Sequence, residues 1–446
     1  MTCTGRLGPQ STVATACSPN SIGALLDGTW LDPDDGQPIR VPVLAVAIER
    51  SLAGIEAELV RPLPLGRRLA VVSDANTSQV AGTRIARALA SLGEVLTVTL
   101  DSGAHADAAT VQRVRTACAT ADALVAVGSG TINDLCKYAA AKDGKPYVVF
   151  ATAPSMNGYT SMNAAITVDG HKKSLPAAAP LGVFIDLAVF AAAPARMIRA
   201  GLGDSLCRST AQADWRLSRH LFGTDYREAP FALLAADEPA LLAAPEALFG
   251  GDLDAMGALA RTLVLSGFGM TICRGSYPAS QGEHLISHYV DMFAPVDRPA
   301  YFHGEQVGVA TLTMARIQEA MLDGPAPRVA ATSISREALR HRFSDEIGDS
   351  CWNEFAVKRL SEQAAAELSG RIADNWGAMC TDLRPDMIPA ATLADTMARA
   401  GCPQTPDEIG VTSDFYERAV RDARFLRDRY TFLDLAADAG RPTLLS

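Results

Sequence analysis

The sequence lacks an excess of positive charge and is poor in aromatic residues. Its 446 residues include 40 Lys and Arg against 50 Asp and Glu, for a formal net charge of −10, and aromatic residues make up only 6%. Because a nucleic-acid backbone is held by a positive field, this balance argues against nucleic-acid binding. The 48% share of hydrophobic residues excludes a disordered or fibrous chain. The composition therefore indicates a globular enzyme with two or three domains.

Paired cysteines and long apolar runs are also missing. The nine cysteines are widely spaced and never form a C-x-x-C pair, so we expect free thiols in a reducing compartment. No run of 18 apolar residues occurs, which predicts that no segment spans a membrane. Residues 1–20 lack the continuous apolar stretch of a secretory signal. The expectation is a soluble, cytoplasmic protein.

Short apolar runs alternate with amphipathic segments in the first half of the chain. The pattern predicts strands at 68–74, 95–100, 123–127 and 147–151, and helices at 80–92, 109–119 and 132–141. Continuous apolar strands separated by helices are typical of a parallel sheet covered on both faces. We therefore predict an α/β domain with a parallel sheet at residues 1–193.

Strand-like alternation disappears after Pro194, where helix formers dominate the sequence. Helices are predicted at 195–221, 239–249, 253–273, 283–293, 305–322 and over most of 357–400. The second half, residues 194–446, is accordingly predicted to be an all-helical carboxy-terminal domain.

A glycine-rich turn lies where a predicted strand meets a helix. In the segment Gly128-Ser129-Gly130-Thr131, backbone N–H groups could approach a phosphate at the helix amino terminus. The third glycine of the dinucleotide fingerprint is missing, and any tight turn of this kind favours Gly-x-Gly, so both interpretations stay open. Asp74 ends an earlier strand, where it could bind an adenosine ribose or merely form the turn.

Two polar segments follow the last predicted strand. Parallel sheets bind ligands at the carboxyl ends of their strands, and the loop at 152–161 lies at such an end. Its uncharged polar side chains include Thr152, Ser155, Asn157 and Ser161. Residues 169–173 then place Lys172 and Lys173 beside a glycine, which suits a substrate phosphate but is equally common in an exposed turn.

Three of the seven histidines fall within twenty residues of one another. His284 and His288 are four residues apart, hence on one face of a helix, and His303 opens a further helical segment. Asp204 directly precedes another helical run. One carboxylate with two or three imidazoles suits a divalent ion such as zinc, with an open position for a substrate oxygen. The same histidines could instead cap helices or line a core.

Taken together and in order, these segments resemble the glycerol-1-phosphate dehydrogenases, within the superfamily of iron-containing alcohol dehydrogenases and dehydroquinate synthases. The resemblance covers roughly residues 20 to 320. It rests on 73–77, 128–134 with Lys137, 153–161, 201–204, 213–215, 283–288 and 303–306.

The resemblance implies a dehydroquinate synthase-like fold in which the amino-terminal α/β domain is a dinucleotide-binding domain and the helical domain binds metal and substrate. Asp204, His284 and His303 would be the metal ligands, and His288 would lie near the substrate as the catalytic proton relay. Residues 128–131, Asp74, Thr152, Ser155 and Ser161 would bind NAD(H) or NADP(H), and Asn157, Asp204, His288 and Lys173 the substrate. The implied reaction interconverts dihydroxyacetone phosphate and sn-glycerol 1-phosphate, as in phospholipid metabolism.

Two positions depart from the family pattern. Asn157 stands where the family usually has Asp, so a neutral amide replaces an anionic acceptor. Arg208 stands where Lys is frequent, which keeps the charge but changes its geometry. With Lys137, Lys172 and Lys173, Arg208 is one of the cations that could hold phosphates on this acidic chain.

Several alternatives remain open at this point. The same fold and metal could act on another phosphorylated or polyhydroxylated ketone, or the protein could be a cyclising lyase like dehydroquinate synthase. A silent cofactor-binding or scaffolding protein is a further alternative. Zinc is the expected metal, although nickel and iron accept the same ligands. The sequence does not distinguish NADH from NADPH, and the helical half offers surfaces for a homodimer. No motif explains residues 330–446.

Overall fold

We describe the protein from a computed structural model. The structure describes residues 3–5, 21–168, 171–295, 298 and 300–445. The interpretation of residues 1–20 as lacking a signal therefore lies almost wholly outside the described residues, as do Asp169, Gly170 and the side chain of Lys172 in the predicted phosphate seat.

The strands lie in one large sheet and two small antiparallel pairs. They are β1 Cys3–Gly5, β2 Trp30–Leu31, β3 Pro38–Ile39, β4 Ala45–Glu49, β5 Arg68–Asp74, β6 Glu94–Leu100, β7 Ala123–Gly128, β8 Tyr147–Ala151, β9 Asn163–Val168, β10 His171–Pro176 and β11 Gly182–Asp186. The large sheet has the order β1-β4-β11-β8-β7-β5-β6. In this order, the six strands after β1 are all parallel to one another, and only β1 at the edge is antiparallel to its neighbour. The predicted α/β architecture with a parallel sheet is confirmed.

The strand order determines which loops meet. β5, β7 and β8 are neighbours, so the segments that follow Asp74, Gly128 and Ala151 leave from the same edge of the sheet. The chain turns from β5 to β6 on one side and returns to β7 on the other, and ligands bind at such a reversal in open α/β sheets. Strands β7 and β8 are buried on both faces, which is why their sequences read as continuous apolar runs.

Helices follow the strands and make up the chain after Asp186, where the described residues contain no further strand. They are α1 Ser21–Asp27, α2 Glu56–Val60, α3 Ala75–Thr77, α4 Thr83–Leu89, α5 Ala108–Ala117, α6 Gly130–Asp143, α7 Leu187–Ala191, α8 Ala195–Leu206, α9 Arg208–Phe222, α10 Ala229–Ala232, α11 Glu238–Ala243, α12 Leu253–Ile272, α13 Gly282–Phe293, α14 His303–Asp323, α15 Arg336–Arg342, α16 Asp345–Glu354, α17 Glu362–Leu383, α18 Ala390–Ala400, α19 Ser413–Asp422 and α20 Phe432–Asp438. The helical character predicted for the second half is confirmed.

Two long predicted helices are interrupted. The predicted run at 195–221 divides at Cys207, between α8 and α9, and the predicted helix at 80–92 begins as a π-helical turn at Ser78–Gly82 before α4. Apolar periodicity continues across both breaks, so the sequence pattern did not reveal them.

The chain divides into two compact units. The first contains residues 1–205 and 228–275, and the second contains residues 206–227 and 276–446. Residues 228–275 thus pack with the α/β part although they belong to the helical half of the sequence. The boundary predicted between residues 193 and 194 stays a prediction.

Each unit has its own hydrophobic core. In the first, one core cluster lies between the sheet and helices α2 and α4, with Val71, Val125 and Phe184 fully buried. In the second, α9, α13, α14, α17 and α20 share a core. Helix α12 of the first unit is long and apolar enough to cross a membrane, but 83% of its most apolar window is buried in the structure, as in a core helix.

Candidate metal centre and cofactor loop

The glycine-rich turn in the first unit begins helix α6 directly after β7. A Cβ atom at Gly128 would lie 2.6 Å from Cβ of Ile132, so only glycine fits the turn. Ser129 is the N-cap residue, its side chain makes no capping bond, and the helix starts at Gly130. The first N–H groups of a fourteen-residue helix therefore point out of the sheet edge, where a phosphate can accept from them.

A polar loop beside this turn is held from inside by a buried lysine. The ammonium group of Lys137 donates to Gly158 O at 2.7 Å, to Ser161 Oγ at 3.1 Å and to Asn163 O at 3.1 Å. Burial lowers the pKa of Lys137 to about 8, although Asp134 nearby raises it. The suggestion that Lys137 holds a phosphate is wrong, because all three donors of its ammonium group are used by the loop.

The same loop contacts the carboxylate of Asp204 within the first unit. The backbone N–H of Asn157 donates to Asp204 Oδ2 at 2.9 Å, and Asp204 is buried near the end of helix α8. Gly201, one turn earlier, lies so close to the loop that a Cβ atom there would be 1.6 Å from Pro154 O. The structure thus brings two predicted site residues, Asn157 and Asp204, together.

The other predicted residues of the first unit have varied surroundings. Thr152 and Ser155 are buried beside the sheet edge. Ser161 bonds within its own loop, to Gly158 O and Asn163 O, and Asp74 caps helix α3 by accepting from Thr77 N at 2.7 Å. Lys173 lies exposed on strand β10. Roles of these residues toward a ligand stay predictions.

Three imidazole rings meet in the second unit. Helix α13 carries His284 and His288, and α14 begins at His303. The ring centroids of His284 and His303 are 5.1 Å apart, and His288 is 6.2 Å from His284 and 5.9 Å from His303. The i, i+4 spacing on α13 and the first residue of α14 therefore produce the cluster that the sequence predicted.

The neighbours of the rings determine which nitrogen atoms are engaged. Nδ1 of His284 lies 2.9 Å from Glu283 Oε1, which also accepts from Gln281 N at 2.8 Å. Nδ1 of His303 lies 3.3 Å from Ser287 Oγ. A hydrogen bond at Nδ1 fixes the ring and places Nε2 on the opposite edge, the arrangement found in metal-binding histidines. The donor set therefore fits a divalent cation such as zinc.

Glu283 is the functional residue that the sequence reasoning missed. Its carboxylate is fully buried and is also 3.3 Å from Thr210 Oγ1. The available signals were its position directly before His284 and its place in the segment 283–288 that resembles the family, but residues adjacent on a helix do not ordinarily face each other. Arg208, by contrast, bonds to Gln212 Oε1 at 2.6 Å and to Asp386 O at 3.3 Å.

We expect Glu283→Gln to weaken zinc binding about 10- to 100-fold, because loss of an orienting carboxylate typically has this effect. The amide cannot accept from Gln281 N and His284 Nδ1 as strongly as the carboxylate does. Competition with a coloured chelator measures the change. Glu354→Gln is the matched control, because Glu354 is an exposed residue at the end of α16. Equal zinc affinities for the two variants would contradict the orienting role of Glu283.

Comparison with known proteins places the chain in a class. Residues 47–194 match the family model described as iron-containing alcohol dehydrogenase. A probable glycerol dehydrogenase from Sinorhizobium meliloti superimposes with a TM-score of 0.59 at 20% identity, covering 88% of this chain and 94% of that one. A maleylacetate reductase from Rhizobium gives 0.53 at 18% identity, with 85% and 88% covered. The fold is that of the iron-containing alcohol dehydrogenases.

Sequence relatives narrow the class. The glycerol-1-phosphate dehydrogenase [NAD(P)+] of Bacillus subtilis is 31% identical over 375 residues, 82% of this chain and 84% of the relative. The protein of the same name from Thermococcus kodakarensis is 31% identical over 272 residues, 60% and 76% of the two chains. The chain belongs to the glycerol-1-phosphate dehydrogenase family. It is accordingly an oxidoreductase acting on CH–OH groups, and the resemblance seen in the sequence is confirmed.

Proposed function

We propose that this enzyme interconverts dihydroxyacetone phosphate and sn-glycerol 1-phosphate with NADH or NADPH. The observation that carries the proposal is the cluster of three imidazoles in the second unit, two of them with Nδ1 beside an orienting group. Family membership supports the substrate, because relatives at about 30% identity carry that name.

We propose Asp204, His284 and His303 as the ligands of a divalent metal ion. One carboxylate with two imidazoles is a typical open catalytic site, and zinc is the expected ion, with nickel and iron as alternatives. When bound, such an ion supplies Lewis-acid polarisation of a ketone oxygen, and a nicotinamide supplies the hydride. The protein contributes orientation: Glu283 holds the His284 ring, and Asn157 N–H holds Asp204.

The cofactor is proposed to lie along the edge formed by β5, β7 and β8. The pyrophosphate would accept from the N–H groups at residues 128–131, and Thr152, Ser155 and Ser161 would line the path toward the nicotinamide. Asp74 would accept from the ribose with the carboxylate oxygen that does not cap α3. Buried Lys137 keeps the loop in place without adding exposed charge to this edge.

His288 is the proposed proton donor to the substrate oxygen during reduction. It is less buried than His284 and lies one helical turn further along α13. An imidazole with an ordinary pKa of about 6.5 both donates and accepts near neutrality. Lys173 and Asn157 are proposed to contact the substrate.

A steady-state assay after metal reconstitution tests the proposal. NADH or NADPH should be oxidised when dihydroxyacetone phosphate is added, and a chelator should abolish the activity. Metal-replete protein that leaves this substrate unchanged would overturn the substrate assignment. Turnover of a phosphorylated acyclic substrate without net cofactor oxidation would favour a cyclising lyase, whereas calorimetry without metal or cofactor binding would favour a silent scaffold.

A second substrate class is favoured by Asn157. Its side chain is buried, and its Nδ2 atom has no hydrogen-bond partner among the described residues. A neutral amide can donate to a substrate oxygen where an aspartate could only accept, which suits another phosphorylated or polyhydroxylated ketone.

Asn157→Asp is therefore expected to shift substrate preference by about 1 to 2 kcal/mol, or roughly five- to thirtyfold in the ratio of kcat/KM values, the usual range for one hydrogen bond. A panel of ketones with and without phosphate measures the ratio. An unchanged ratio would show that Asn157 does not select the substrate.

The cytoplasmic location and the homodimer stay predictions.

A further inference from the structure

The carboxy-terminal segment that no motif explains reaches the start of the histidine helix. Within the second unit, the turn at 276–281 leads into α13, whose third residue is His284. The segment at 424–438 is connected to this region in two ways, by a direct contact with the turn and by a contact with Gly282 through a shared side chain. Neither contact involves a proposed metal ligand directly.

The first contact is made by Arg429. Its guanidinium group donates to the carbonyl oxygen of Ser280, to Ser276 O at 3.5 Å and to Ser276 Oγ at 2.9 Å. It also stacks on the ring of Tyr277, 4.4 Å from the centroid. One half-buried side chain thus holds both ends of the turn. A planar guanidinium with several N–H donors is suited to bonding two separate residues at once.

The second contact passes through Asp214 on α9. Asp214 Oδ2 accepts from Gly282 N at 3.0 Å, while Oδ1 accepts from Phe432 N at 2.9 Å and Gln318 Nε2 at 3.2 Å. The first residues of α13 and α20 therefore share one fully buried carboxylate. A Cβ atom at Gly282 would lie 2.8 Å from Asp214 Oδ2, so the approach requires glycine.

The segment is itself rigidly held. Lys358 Nζ donates to Arg429 O at 2.8 Å and lies 3.1 Å from Asp434 Oδ1, which also lies 3.1 Å from Arg424 Nε. Thr431 N donates to Asp434 Oδ2 at 2.9 Å. Because these buried charges are paired and hydrogen-bonded, the backbone that carries Arg429 is held in a defined position.

We infer that the segment 424–438 is a positioning element for the proposed metal-binding helix, with Arg429 as its principal positioning residue. The inference rests on the proposed function, because it takes His284 to be a metal ligand. Free N–H groups in the first turn of a helix need partners, and here Asp214 supplies one while Arg429 holds the preceding turn. Loss of the guanidinium would allow this first turn to open and would move His284 away from its ligand position.

Hydrogen exchange on the full-length, metal-free protein tests the inference directly. In Arg429→Met, peptides covering residues 276–290 should exchange roughly tenfold faster, as expected for a locally opened turn. Arg441→Met is the matched control, because Arg441 donates to Pro325 O at 2.8 Å and to Met321 Sδ, away from this turn. Unchanged exchange at 276–290 in Arg429→Met would overturn the inference. Faster exchange spread evenly over the chain, as in a variant that folds poorly, would equally overturn it.

Zinc affinity supplies the functional measurement. Below the unfolding temperature of each variant, Arg429→Met should bind zinc about 10- to 100-fold more weakly than the natural protein, and Arg429→Lys should recover part of the loss. Equal affinity of Arg429→Met and Arg441→Met would overturn positioning. If the natural protein binds no zinc, the proposed function fails, and the exchange experiment alone decides whether Arg429 positions the helix.

Discussion

His303→Ala is expected to lose bound metal and turnover together, whereas His288→Ala should keep the metal and lose rate. The rings of His284 and His303 are 5.1 Å apart, and removing one of three ligands leaves too few for tight binding. Lewis-acid assistance is worth several kcal/mol, so the expected loss of kcat/KM is roughly a thousandfold. For His288→Ala, loss of a proton donor should lower kcat about 100- to 10,000-fold at unchanged metal content.

Metal analysis after dialysis and steady-state kinetics of the same samples measure both effects. His341→Ala, on an exposed residue at the end of α15, is the control for the mere loss of an imidazole. Metal lost in His288→Ala but retained in His303→Ala would exchange the two proposed roles. Metal retained in both would contradict the proposed ligand set.

The sheet and the glycine turn could be predicted because short-range patterns determine them. Strands β7 and β8 and the central part of β5 are buried on both faces, so their sequences are continuous apolar runs. Gly128 and Gly130 lie at the strand-to-helix turn, where the phosphate loop was expected. The shared helix face of His284 and His288 was equally predictable, because residues four apart on a helix share a face. The approach of His303 depends instead on how α14 packs against α13.

The groups that hold the site could not be predicted in the same way. The bond from Phe432 N to Asp214 joins residues 218 positions apart, and no local pattern contains that distance. Lys137 was interpreted as a cation that could hold a phosphate, since burial of its ammonium group depends on how the loop at 157–163 folds back over it. The contact between Glu283 and His284 depends on side-chain rotamers.

Gly201→Ala is expected to destabilise the first unit and to displace the carboxylate of Asp204. A Cβ atom at Gly201 would lie 1.6 Å from Pro154 O, a backbone atom that cannot move without its loop. Overpacking of this kind costs about 1 to 3 kcal/mol. Because Asp204 follows one turn later and accepts from Asn157 N in the same loop, the displacement should also weaken metal binding.

Urea unfolding and metal content together measure the effect, with Gly377→Ala as the matched helical control. Gly377 lies on α17 with nothing within 4 Å of an added Cβ atom, so alanine there should be neutral or stabilise the protein by up to about 1 kcal/mol. A Gly201→Ala protein that unfolds at the same urea concentration as Gly377→Ala would show that the loop yields to the methyl group. Close packing of α8 against Pro154 would then not be what holds Asp204 in place.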